Sequence, residues 1–430
     1  MEGSSHTPQL ARNVKRLGHL DLPGSGQVYV QGNYAYLGHL PNQQNLGTTI
    51  VDVSDPRKPR VVSQINLDDP TSHSHKARVI GDIMIVNSER NMTRIGRKAD
   101  ELPGLRARLR EELGRDPSHT ELAAKLGVNE ADIPAVEAAQ KNPYERGGFK
   151  IYDVSDRAKP KLITFQKTHG IGVHRFDMDA RYAYISTEME GYVGNILVIY
   201  DLAKPDAPQE VSRWWLPGQH VAGGETPTWE SYKNRLHHAL RSGDELWAAV
   251  WNAGLRVIDV SDIRRPRTVA EYNYHPPFPE PTHTVLPVPF PVAGCRIAVA
   301  VDEEHDHIPG QPHAGLWVFD VSDLADIRPL SMFHVGEMDS PWSRTGRFGA
   351  HQFQEHLSDT LVYVTWFSGG LRIVDVADPS LPREVGHFIP EPSGGNASPQ
   401  SNDVDVDARG LIYLLDRNQG LDILEYTGAR

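Results

Sequence analysis

Short apolar runs separated by polar turns recur along almost the whole chain. Ala183-Tyr184-Ile185-Ser186 is followed by Leu197-Val198-Ile199-Tyr200, and Leu361-Val362-Tyr363-Val364 by Leu371-Arg372-Ile373-Val374. The runs are rich in β-branched and aromatic residues and are bounded by Gly, Asp and Pro, which predicts short strands. One phrase then returns six times: TTIVDVSDPRKP at 48–59, GFKIYDVSDRAKP at 148–160, NILVIYDLAKPDAP at 195–208, GLRVIDVSDIRRP at 254–266, GLWVFDVSDLADIRP at 315–329 and GLRIVDVADPSLP at 370–382. A degraded seventh copy, GLDILEYTG, ends at 428. A repeated unit that cannot bury its own apolar face implies an array. The aspartates of the phrase are Asp52, Asp153, Asp201, Asp259, Asp320 and Asp375, with Glu425 in the last slot. After a longer first interval they are 48 to 61 residues apart, near the period of a four-stranded propeller blade.

The tail of the phrase is a turn with a mechanism, since Asp and Ser side chains bond nearby backbone N–H groups and Pro fixes φ. A fourth, outer strand follows it, such as Arg60-Val61-Val62-Ser63-Gln64-Ile65. The last copy lacks that strand, and Asn13 to Leu20, which looks like the outer strand Arg383 to Phe388, is placed to supply it. The expected fold is an all-β, seven-bladed β-propeller over 1–91 and 147–430, closed by its N-terminal strand, which removes exposed edges. The phrase resembles the LVIVD repeat of seven-bladed β-propellers. The resemblance implies the fold and not a function, because propellers host many functions.

Residues 92–146 interrupt one unit and do not belong to the array. LPGLRARLREEL at 102–113 and ELAAKLGVNEADI at 121–133 have helical patterns, with Asp116 or Ser118 as N-cap and Gly127 as helix end. This stretch resembles the helix-turn-helix-like part of bacterial sigma factors. The net charge of -12 argues against nucleic acid as a partner. A small helical subdomain, acting as a lid or an oligomer contact over one mouth of the channel, is the expectation. The single cysteine, Cys295, excludes an internal disulfide and fits a reducing cytosol. No apolar run has signal-peptide or membrane-spanning length, so the expected location is cytoplasmic, without a membrane partner.

Histidine departs from this ordinary composition, with 20 copies that cluster. Counting back from each second strand gives the innermost strands a common register. His75, His174 and His238 fall in one slot, and His283 and His351 match it through longer connections. Asp403 fills the slot in the last unit and Gly26 or Gln27 in the first, while His73 and His237 flank the register and compete for places in it. A shift of one residue turns a strand side chain to the other face. Imidazole is a ligand of zinc, copper, iron and nickel, and several converging on one point suit a metal. Glu188 and Glu190 in STEMEG and Glu303, Glu304, His305, Asp306 and His307 in DEEHDHIPG gather at the same mouth. Glu188 and Glu303 are candidates for orienting imidazoles or moving protons.

A neutral multi-histidine site suits Fe(II) first, with copper or zinc as alternatives. The arrangement is similar in kind to carotenoid-cleaving oxygenases, whose propeller holds Fe(II) with four histidines, and to propeller oxidases of the selenium-binding-protein type. The expected activity is a metal-dependent oxidoreductase acting on a small organic substrate. The alternatives are a propeller-type metal-dependent hydrolase or lactonase, and a non-catalytic interaction scaffold.

Overall fold

The aspartate of each repeated phrase ends one strand and starts a turn. Its Oδ1 accepts from the amide two residues on: Asp52 from Ser54 at 2.9 Å, Asp153 from Ser155 at 2.8 Å, Asp201 from Ala203 at 2.8 Å, and likewise Asp259, Asp320 and Asp375 from Ser261, Ser322 and Ala377. The chain then reverses and pairs antiparallel as an outer strand. In all six copies the pairing slips at the same place just before the aspartate, as between Ile151 and Tyr152 or Val257 and Ile258. Such a bulge adds twist to the outer edge of each sheet.

The computed structural model describes residues 10–91, 94–141, 144–229, 233–305 and 310–429. These strands form an all-β propeller. Among the described residues five separate four-stranded sheets are present, three of them ordered as in the chain: Ser25–Gln31 to Arg60–Asn66, for example, or His238–Ser242 to Arg267–Tyr272. The expected count of seven separate blades is corrected by the remaining strands, which share one nine-stranded sheet. Its two halves meet between Ile83–Arg90 and His169–Met178, where Gly172 pairs with Glu89. Gly172 has φ 90°, and a Cβ there would lie 2.4 Å from the Ser88 carbonyl oxygen, so only glycine allows this approach.

The N-terminal segment closes the ring. Val14–Leu20 pairs antiparallel with Gly420–Tyr426, and Ala11–Arg12 just before it pairs with Arg383–Phe388 of the neighbouring sheet. One short stretch therefore covers two edges. The core fills the spaces between successive sheets, as where Trp247, Leu255 and Val257 pack on Trp317 and Phe319.

The chain leaves the propeller after Arg90 and resumes it at Gly148. Between them, three helices, Arg94–Leu113, His119–Leu126 and Ile133–Lys141, enclose their own core of Leu102, Leu109, Leu122, Leu126, Ile133 and Val136. Ser118 caps the second helix in a capping box with Glu121, and Gly127 ends it in the left-handed region. The return of the chain is tied to the propeller by Tyr144, 2.6 Å from the Ser72 hydroxyl, and by the Arg146 carbonyl, which accepts from Ser88 at 2.7 Å. Between the helices and the propeller lies a cavity of about 470 Å³, lined among others by Arg90, Pro103, Tyr144, Lys167, His169 and Glu188. Among the described residues no helix is long and apolar enough to cross a membrane.

Candidate metal centre

Five consecutive units bring histidines from their innermost segments together, and these form an arc. His73, His75, His174, His237, His283 and His351 follow one another with ring centroids 5.1, 5.1, 4.9, 4.1 and 4.4 Å apart. His75, His174, His283 and His351 therefore sit together as the register expects. The fifth expected member, His238, does not lie on the arc; His237 does. The second strand of that unit is Glu245–Ala249; His237 lies eight residues before its start, as His75 and His174 lie eight before Ile83 and Tyr182, whereas His238 lies eight before Leu246, one residue into the strand. His237 N donates to Ala249 O at 2.9 Å just as His351 N donates to Thr365 O at 3.0 Å, which makes these two the equivalent positions. His238 turns instead to the Lys76 ammonium, 3.2 Å from its Nε2.

Four of these rings are held at Nδ1 by oxygen. His174 Nδ1 is 2.9 Å from both carboxylate oxygens of Glu89, and His237 Nδ1 is 2.7 Å from the His283 carbonyl. His283 Nδ1 lies 2.9 Å from the Thr284 hydroxyl, and His351 Nδ1 meets the Asn402 carbonyl. An Nδ1–H bonded to oxygen fixes the tautomer, leaves the Nε2 lone pair free, and is the usual outer support of a metal-ligating histidine. His174 Nε2 and His237 Nε2 are 3.0 Å apart. Ligand atoms of His237, His283 and Glu303 lie within 4.8 Å of one another, and so do those of His73, His75 and Glu89. The Glu303 carboxylate is also 3.8 Å from His351 Nε2. Buried His75 Nε2 and His73 Nδ1 have no hydrogen-bond partner among the described residues. An imidazole-dominated donor set with two carboxylates fits a first-row transition metal better than a hard cation such as calcium, which takes oxygen.

Electrostatics keep these donors in their ligating forms. Burial holds His75, His237, His283 and His351 well below the ordinary imidazole range, so they are neutral at pH 7. Burial alone would raise Glu89, but His174 and His73 outweigh it and bring the carboxyl down to about 2. Glu303 is likewise held well below its ordinary value, because His305, His351 and His283 outweigh its burial. It also lies 3.2 Å from both Arg347 and His305.

Two aromatic residues cover the arc in strained backbone. Trp251 has φ 43° and Phe367 φ 33°, in the left-handed region that bulky side chains avoid. Trp251 stacks on His237 at 5.5 Å and Phe367 lies 4.8 Å from His351. Beneath the arc, charged side chains fill the inner end. Lys76 and Arg78 each lie 2.5 Å from a Glu355 oxygen, and Arg78 is 3.0 Å from Asp177. Arg175, 3 % exposed, reaches His283 Nε2 at 3.2 Å.

The second expected acid, Glu188, belongs to a different place. It accepts from the Ile171 amide at 3.0 Å, lies 3.4 Å from Arg235, and faces the cavity under the helices. Asp306 and His307 lie outside the described residues. Sequence reasoning did not single out Glu89, Arg175 or Phe367. A glutamate at the end of a strand and an arginine next to His174 carry no local signature, although the phrase WFSGG, parallel to WNAG at 251–254, does mark Phe367.

Comparison with known proteins agrees with this architecture. The LVIVD repeat matches residues 24–66, 242–273 and 356–389. No curated protein matches the chain. Among solved structures, the periplasmic gluconolactonase PpgL of Pseudomonas aeruginosa is 12% identical with a TM-score of 0.56, over 90% of each chain. A chain of the mitotic checkpoint complex is 9% identical with a TM-score of 0.55, covering 98% of this chain and 97% of that one. The computationally designed protein Ika8 is 7% identical with a TM-score of 0.50, covering 95% and 98%. At these identities the likeness is one of fold alone. The chain is a β-propeller that carries LVIVD repeats.

Proposed function

We propose that this chain is a metal-dependent oxidoreductase, oxygenase- or oxidase-like, acting on a small organic substrate. The observation that carries this is the set of His174, His237, His283 and His351, each anchored at Nδ1 by oxygen, with the Nε2 atoms of His174 and His237 3.0 Å apart; a metal would displace Arg175 from His283 Nε2, which it reaches at 3.2 Å. Glu303 is the fifth candidate ligand. Glu89 orients His174 from outside the ligand set. Fe(II) is the first choice for the ion, with copper or zinc as alternatives, and when bound it would supply redox or Lewis-acid chemistry. Arg175 and the Lys76–Glu355–Arg78 network close the inner end, so substrate enters from the side of Trp251 and Phe367. The fold likeness to a gluconolactonase is compatible with a hydrolase, but the imidazole-rich donors favour redox chemistry.

We also infer that the ring counts seven blades. The nine-stranded sheet then represents two, joined through the Gly172–Glu89 pair. The helical unit sits as a lid or oligomer contact, and the lone Cys295 agrees with a cytoplasmic location.

The test is metal analysis of the full chain loaded anaerobically with Fe(II), and separately with copper, zinc and calcium. About one iron or copper per chain is expected, lost in a His174→Ala/His237→Ala double variant. Preferential calcium binding, or no metal under any loading, would overturn the proposal.

A further inference from the structure

We propose that the substrate is a small organic acid whose carboxylate docks on the guanidinium of Arg417, beside His351. This rests on the metal centre proposed above and adds the class of molecule it serves.

Arg417 follows the strand Leu411–Asp416 and is fixed at two points. Its Nε donates to Asn402 Oδ1 at 2.6 Å, and its guanidinium stacks 5.2 Å from the centre of the Phe367 ring. Its Nη1 and Nη2 make no hydrogen bond among the described residues, and the residue is only half-buried. The end of the guanidinium is thus a preset two-pronged donor, which matches the two coplanar oxygens of a carboxylate. Asn402 links this donor to the arc, because its backbone carbonyl holds His351 Nδ1 while its side chain holds Arg417. A carboxylate bound there has a fixed position relative to His351.

The charge around Arg417 also calls for an anion. Arg347 lies over the same Phe367 ring at 4.6 Å, and two guanidiniums held on one ring repel. The nearby carboxylate, Glu303, is already engaged by Arg347 and His305 at 3.2 Å each. Burial, and then Arg347, push Arg417 down to about 9, and the carboxylates of Glu303 and Asp416 offset this only in part. Arg175 adds a further buried positive charge, with Nε and Nη1 lacking partners.

The experiment is calorimetric titration of the full-length, metal-loaded protein with acetate, propionate and benzoate, and with acetamide, propionamide and benzamide as neutral controls. Inorganic phosphate is a separate arm, and metal content is measured on every sample. At least one carboxylate should bind, its amide should bind at least tenfold more weakly, and Arg417→Met should weaken the carboxylate at least tenfold, with partial rescue in Arg417→Lys. Arg347→Gln, which does not depend on refolding around Arg417, should weaken it severalfold. Equal binding of acid and amide, unchanged binding in Arg417→Met, phosphate binding in preference to every carboxylate, or no carboxylate binding at millimolar concentration would each overturn the inference. Carboxylate binding that depends on Arg417 in a protein that takes up no metal would leave it standing while removing the metal centre.

Discussion

Two adjacent histidines are the sharpest contrast in the molecule. His237 lies between His174 and His283 on the arc, whereas His238 faces Lys76 and sits 3.6 Å from Glu355. His237→Ala is therefore expected to abolish or strongly weaken metal uptake. His238→Ala should leave metal content intact and lower stability, since it opens a buried polar layer. Elemental analysis beside thermal denaturation separates the two, and equal metal loss in both variants would contradict the geometry. Glu89→Gln tests the support of His174. Losing the carboxylate behind a ligating imidazole typically weakens metal by about 10–100-fold, read by competition with a chelator. The contrast also shows what was legible in the chain. Four of the five registered histidines come together because a period of two makes strand position readable. The fifth misses because the start of a strand is ambiguous by a residue, and one residue is the whole difference between faces. Glu188 misses for another reason: following a second strand does not say which way a loop turns, and its partners Ile171 and Arg235 belong to other segments.

At the scale of elements, the repeat and its turns were fully readable, and the exceptions were not. The aspartate turns recur because the side chain bonds its own chain two residues on, a local interaction that sequence records directly. Asp375→Ala should cost about 1 kcal/mol, the net worth of such a bond, and Asp375→Asn much less, because its Oδ1 still accepts the Ala377 amide. Shifts in the urea midpoint measure both. The closing strand was legible too, as a spare outer strand at one end and a missing one at the other. What stayed hidden was its second pairing, Ala11–Arg12 with Arg383–Phe388, and the fusion of sheets at Gly172. Both are contacts between units, set by how far apart neighbouring blades sit, and no period reports that. Deletion through Leu20 would leave two edges unpaired, along Gly420–Tyr426 and Arg383–Phe388. The expected result is a lower melting temperature together with concentration-dependent aggregation in light scattering. A truncated chain that melts as the intact one does, and stays monomeric, would mean the ring does not need this closure.

The whole molecule gathers charge along its axis, and that layer makes a prediction about pH. Lys76, Arg78 and Arg175 meet the carboxylates of Glu355, Asp177, Asp403 and Asp405 there. Burial pushes Asp403 up to about 8, with the neighbouring Glu355 carboxylate adding to it, although the Val28 amide donates to it at 2.8 Å. In the unfolded chain the same carboxyl ionises near 3.8. The folded state therefore holds a proton that the unfolded state releases, and the contribution of this group to stability falls as pH rises from about 3.8 to about 8. Lys76, pushed down to about 8 by burial, changes its contribution only above that value, and the buried histidines act in the opposite direction below about 6.5. Comparison with Asp403→Asn cancels these other groups. The amide keeps an oxygen for the Val28 N–H and cannot ionise. Its stability relative to wild type should rise between pH 5 and pH 7, by at most about 3 kcal/mol at about 1.4 kcal/mol per pH unit. Denaturant titrations of both proteins at the two pH values measure it. A difference that stays constant, or shrinks as pH rises, would show that Asp403 is ionised in the folded ring, with Arg175 and Lys76 as its counter-charges.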